Sequence, residues 1–87
     1  MIIEFGYSKA SDKFFNKHEN VRDIFENNIV AVEKGSCNID IKLLKGYKDL
    51  LRMRIGNYRV VYKVSNGEII IIDVLHAGSR GDIYKKL

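Results

Sequence analysis

The sequence predicts an α+β fold of order β-α-α-β-β-β, an antiparallel sheet with a two-helix hairpin packed on one face. Three observations predict it. Apolar residues recur at helical spacing before Gly35 and at a spacing of two after it. Gly56-Asn57 and Asn66-Gly67 are hairpin-turn pairs that cut the second half into three extended segments. The chain has 87 residues, the size of one domain spanning 1–87 with one small core.

The elements follow in order. Ile2-Ile3-Glu4-Phe5 reads as a first strand. Ser8 is placed to cap a helix running to about Lys17, with Ala10 and Phe14 stacked four apart. Asn20 is the expected cap of a second helix, with Asp23 in its first turn. Val21, Ile24, Phe25, Ile29 and Val32 form its apolar stripe, and Gly35 suits the left-handed residue that ends it. Ile39, Ile41 and Leu43 alternate with polar residues before a break at Leu44-Lys45-Gly46. Residues 50–55, 58–64 and 68–77 read as three strands, joined by a type II′ turn at Gly56-Asn57 and a type I′ turn at Asn66-Gly67. Residues 78–87 read as a tail with one helical turn.

Composition narrows the function. The longest apolar run, Ile69-Ile70-Ile71-Ile72, is far short of a membrane span, and no secretion leader is read at the start. Cys37 is the sole cysteine, read as a packing residue; no disulfide or cysteine-cluster metal site is expected, and a reducing cytoplasm fits. His18 and His76 are the only histidines, so no metal and no cofactor are expected. Residues 1–34 hold five Lys/Arg against six Asp/Glu, a net of −1, while residues 35–87 hold ten against five, a net of +5. A one-sided basic surface attracts polyanions, nucleic acid above all.

The hairpins bring those charges together. The first turn sets Arg54 opposite Arg59 and Arg52 opposite Val61. The second, if two residues long, sets Arg59 opposite Val74 and Asn57 opposite His76. Leu51, Met53, Ile55, Tyr58, Val60, Tyr62, Ile69, Ile71 and Leu75 then share the helix-bearing face. Arg52, Arg54, Arg59, Lys63 and His76 share the other. Two arginines directly opposite repel, which points to an anion between them, or else to guanidinium groups splayed into water or paired with Asp49 or Asp82. Asp73 falls on the apolar face in this register; either a bulge shifts the last strand or Asp73 sits near the sheet's edge.

Three stretches in order, Leu44-Lys45-Gly46, Leu51-Arg52-Met53-Arg54-Ile55-Gly56-Asn57-Tyr58-Arg59-Val60-Val61-Tyr62 and Gly78-Ser79-Arg80-Gly81-Asp82-Ile83-Tyr84, resemble the RelE/ParE toxin superfamily. The resemblance implies a RelE-like toxin of a type II toxin–antitoxin system. Such a toxin binds in the ribosomal A site, cuts mRNA there without a metal, and is held inactive by a cognate antitoxin. It also implies roles. Arg59 holds the scissile phosphate, Arg80 serves the leaving group or transition-state charge, Tyr84 stacks on a base, and Lys45 contacts ribosomal RNA. Arg54, Arg59, Arg80 and Tyr84 are thus the expected catalytic residues, and Lys45, Lys48, Arg52, His76 and Lys85 the expected RNA contacts.

The residue types suit that chemistry. RNA is cut when its own 2′-OH attacks the adjacent phosphate. The protein must orient that hydroxyl, stabilise charge on phosphate oxygens and help the 5′-oxygen leave. Arginine forks match phosphate oxygens in pairs. One departure stands out: Arg52 and Arg54 occupy positions where the family's type member has lysines, and arginine stays protonated. The general base is left open among His76, Tyr84, Lys45, Lys48 and Lys85, with substrate positioning as the alternative. Two other functions fit the same fold: a ParE-like toxin that inhibits gyrase by binding, and a non-catalytic nucleic-acid-binding or decayed toxin domain.

Overall fold

The computed structural model describes residues 2–36, 38–44, 46 and 48–79. In chain order it contains β1 (Ile3–Tyr7), α1 (Lys9–Lys17), α2 (Glu19–Glu33), β2 (Ile41–Leu43), β3 (Leu51–Ile55), β4 (Tyr58–Ser65) and β5 (Ile70–Ser79). The strands form one five-stranded sheet in the order β1-β5-β4-β3-β2, and the helices pack on one of its faces, an α+β fold. Cys37 and the tail beyond Ser79 lie outside the described residues.

Two features depart from the expected order. The alternation around Ile41 forms a strand of its own, β2, antiparallel to β3 with Ile41 opposite Met53. The sheet is also mixed, because β1 runs parallel to β5, with Ile3 opposite Ile70 and Tyr7 opposite Val74. The sequence of β5 explains its place between two strands. Its Ile70-Ile71-Ile72 start lacks the polar alternation of an edge strand and suits a strand paired on both sides.

Helix starts and stops follow local chemistry. The Ser8 hydroxyl accepts a hydrogen bond from Ser11 N at 3.1 Å and caps α1. The inward positions of α1 are Ser11 and Phe15, both fully buried; Ala10 is exposed and Phe14 only half-buried, one position round from the expected stripe. α2 begins two residues earlier than expected, with His18 rather than Asn20 at its cap. It buries Val21, Phe25 and Ile29 and leaves Ile24 exposed, and Gly35 then takes φ +100°. Phe15 and Phe25 meet Met53, Val60, Tyr62, Ile72 and Val74 between helices and sheet. Among the described residues, no helix is long and apolar enough to cross a membrane.

The two hairpins behave differently. Gly56 has φ +58° while Asn57 does not turn positive, as a type II′ turn requires, and Arg54 stands opposite Arg59 as expected. At Asn66-Gly67 neither residue has a positive φ, so no type I′ turn forms. Ser65 pairs with Ile71 instead of Glu68, and Ile70 N donates to Ile2 O across the other edge at 2.9 Å. The longer loop reverses the facing of β5. Ile72 and Val74 enter the core, Asp73 moves to the opposite face beside Lys63, and Ile71 is exposed. The expected inward set Ile69, Ile71 and Leu75 is thereby corrected, since a two-residue turn would bury an unpaired carboxylate at Asp73. A bulge also exists: Tyr62 pairs with Val74 and Val61 with His76, so Leu75 is left without a partner on β4.

Candidate nucleic-acid interface

The face of the sheet away from the helices is built in rows. In one row Arg54 N donates to Asp40 O at 2.9 Å, Arg54 stands opposite Arg59, and Arg59 opposite Gly78. In the next, Lys42 stands opposite Arg52, Arg52 opposite Val61, and Val61 opposite His76. Residues in register share a face, so four cations and a histidine line up across four strands. Beneath them Leu50 and Val61 are buried against Leu44 and Leu75, a small second apolar cluster that stiffens the floor.

These rows frame an open cleft of about 380 Å³ lined by Asp40, Lys42, Leu43, Leu44, Arg52, Arg54 and Arg59. Arg52 is buried, 7% exposed, and donates to Asp40 Oδ1 at 3.2 Å. Arg54 reaches the other oxygen of the same carboxylate at 4.0 Å from an exposed position. Arg59 is equally buried, 7% exposed, and its one side-chain hydrogen bond to a described residue is a long donation to Tyr58 O at 3.4 Å. No carboxylate among the described residues lies within salt-bridge distance of it. A buried guanidinium with so few partners among the described residues is suited to donate to an incoming anion. His76 Nδ1 is likewise buried with no hydrogen-bond partner among the described residues.

The expected site residues divide three ways. Arg52, Arg54 and Arg59 converge on the cleft. His76 stands on the same face but not among the cleft-lining residues, and Lys48 is exposed in the connection before β3, outside the lining as well. Lys45, Arg80, Tyr84 and Lys85 lie outside the described residues, as does Asp82. Asp49, an expected arginine partner, instead faces Lys63 at 3.9 Å. Sequence reasoning missed Lys42 and Asp40, both cleft-lining. The signal was the alternation at residues 39–43. Extended as a strand antiparallel to 51–55, it sets Asp40 beside Arg54. Asp40 matters chemically because a carboxylate accepts a proton and an arginine in protein does not.

Residues 8–80 match the family model described as the ParE toxin of the type II toxin–antitoxin system parDE. Over 46 residues the chain is 44% identical to Toxin RelE3 of Methanocaldococcus jannaschii, a match covering 53% of this chain and 52% of that protein. The chain therefore spans about half the length of that curated relative. Its fold is similar to a chain in the crystal structure of the RelB-RelE antitoxin-toxin complex from Methanococcus jannaschii. The TM-score is 0.64 and the identity 28%, over 94% of this chain and 98% of that one. The arginine-rich sheet face, the order of elements and the family match over residues 8–80 agree, and the chain belongs to the ParE toxin family of type II toxin–antitoxin systems.

Proposed function

We propose that the chain is one toxin domain across residues 1–87, a ribosome-dependent endoribonuclease that cuts mRNA and arrests translation. The observation that carries this reading is the cleft lined by Arg52, Arg54 and Arg59, in which Arg52 and Arg54 pair with one carboxylate, Asp40. In this mechanism Arg59 binds the scissile phosphate and takes up the charge that grows on its non-bridging oxygens. Arg54 and Lys42 hold the flanking backbone. Asp40, the proton acceptor in the cleft, takes the proton of the 2′-OH as the 2′-oxygen bonds to phosphorus. The phosphorus–5′-oxygen bond breaks, the 5′-oxygen takes a proton from solvent, and a 2′,3′-cyclic phosphate remains. Arg80 and Tyr84 belong to the leaving-group side and the base-stacking side of this scheme, with Lys45, Lys48, His76 and Lys85 as outer RNA contacts.

The partners of this reading are a cognate antitoxin, the ribosome and mRNA, in the cytoplasm, with no metal or cofactor. A related toxin was solved together with its antitoxin, which supports the first partner. The ParE description of the matching family favours a second reading, binding and inhibition of gyrase. Purified protein added to a translation extract, with primer extension on the mRNA and a parallel supercoiling assay, separates the two. Cuts at ribosome-positioned codons support the ribonuclease. Blocked supercoiling with intact mRNA transfers the assignment to gyrase.

A further inference from the structure

The bulge in β5 decides which side chains reach the basic face. Leu75 is the extra residue, and a bulge of this kind turns consecutive side chains toward one side. Leu75 packs with Leu50 and Val61 behind the cleft, and His76 stands opposite Val61 in the row of Arg52. Ala77 then returns to the main core. In an unbulged strand the parity is reversed, with His76 inward and Ala77 outward.

The first turn of α1 holds that bulge. β1 ends opposite Val74, so its ladder offers nothing further to the carbonyls beyond. Ser8 N donates to Val74 O at 2.9 Å, and the Ser8 hydroxyl donates to Leu75 O at 2.6 Å. The hydroxyl of Ser11, a fully buried residue, reaches Val74 O at 3.3 Å and Ser8 O at 3.0 Å. Capping α1 needs only an acceptor at position 8, which aspartate supplies as well as serine. Holding Leu75 O needs a donor, which an ionised aspartate lacks. The two jobs of Ser8 are therefore separable.

We infer that Ser8 and Ser11 are positioning residues of the cleft: their hydroxyls fix the bulge at Leu75 and so set the face on which His76 stands. The consequence for cleavage rests on the ribonuclease reading; the placement of His76 does not.

The test uses the full chain with labelled histidine rings, followed by NMR at fixed pH, beside single-turnover cleavage on programmed ribosomes. In Ser8→Asp, α1 stays capped, the His76 ring resonances shift, and those of His18 stay in place. Because His76 is an outer RNA contact, KM for cleavage rises, while the rate at saturating ribosome changes little. Ser8→Thr, which keeps donor and acceptor, restores both readouts. Ser11→Ala leaves the cap acceptor intact and gives the same direction of change if Ser8→Asp does not fold. Wild-type His76 resonances in both Ser8→Asp and Ser11→Ala overturn the inference, as does a shifted His76 with an unchanged KM. If the wild-type chain cuts no RNA, the ribonuclease reading falls, and the ring resonances alone decide whether the serines place His76.

Discussion

Arg54 and Arg59 are register partners across β3 and β4, yet the Arg54 side chain is 56% exposed while Arg59 is 7% exposed. Two like charges held directly opposite cost stability. Here the repulsion is relieved by splaying one guanidinium into water near Asp40 and folding the other against the sheet. The pair is thus asymmetric, with Arg54 a solvated contact and Arg59 a desolvated one.

That asymmetry sets the first prediction. Arg59→Ala and Arg80→Ala lose cleavage by roughly 10²–10³-fold, the scale of removing a donor to a developing oxyanion. Because Arg59 is buried, its alanine variant also shifts the melting temperature, so Arg59→Lys and Arg80→Lys are the sharper reagents. Each keeps the charge and loses the planar fork. Single-turnover cleavage beside thermal melting is the measurement. Undiminished cleavage by both lysine variants removes the fork from the mechanism.

Asp40→Asn separates binding from chemistry. It deletes a negative charge from the cleft, so RNA binds more tightly by fluorescence anisotropy, while cleavage falls. Stability drops by about 1 kcal/mol, the scale of a partly exposed ion pair, because Asp40 is the carboxylate partner of buried Arg52. Wild-type cleavage in this variant excludes Asp40 as the proton acceptor.

Salt reads the contacts of the cleft. Binding to single-stranded RNA weakens with rising salt, with a slope of about 0.7 per neutralised phosphate in log–log form. Arg54→Ala lowers that slope by about one such step. Lys9→Ala, exposed on the helical side, leaves the slope and the cleavage rate alone. Equal effects of the two substitutions mean that RNA does not sit in the cleft.

Alkaline pH probes the other face of the sheet. Burial raises the Tyr7 hydroxyl well above its ordinary range, helped by its hydrogen bond to Glu26, and burial pushes Tyr62 up to about 12. An unfolded tyrosine titrates near 10. The folded state therefore holds these protons more firmly. Their contribution to stability is complete below about pH 10 and is lost as pH climbs toward and through the folded values. Melting temperature measured from pH 8 upward falls beyond about pH 10, and Tyr7→Phe shows a shallower decline. An equally steep decline in Tyr7→Phe removes Tyr7 from the account.

Where sequence was legible and where it was not follows from how local the determining interaction is. The Gly56-Asn57 turn carries its own geometry in one glycine, so the Arg54–Arg59 pairing could be read directly. Asn66-Gly67 carries an equally strong local signal, but burial of Ile72 and Val74, exclusion of Asp73 from the core, and pairing of Ile70 with β1 outweigh it. Asp73 was the visible symptom, an acid on a face that had to be apolar. The carboxylate that organises the cleft, Asp40, precedes a strand of three residues whose place depends on β3, so the alternation at residues 39–43 became informative only once that strand was paired with 51–55.

The order in which the strands are made has a consequence for a cell that produces this chain. β5 is synthesised after every other described strand, yet it lies between β1 and β4. Until it emerges, β1 has no neighbour, and His76 and Gly78 have not joined the basic face. In a nascent chain the sheet is therefore completed only after β5 has been made and has entered between β1 and β4, and until then the row of Arg52 and Val61 lacks His76.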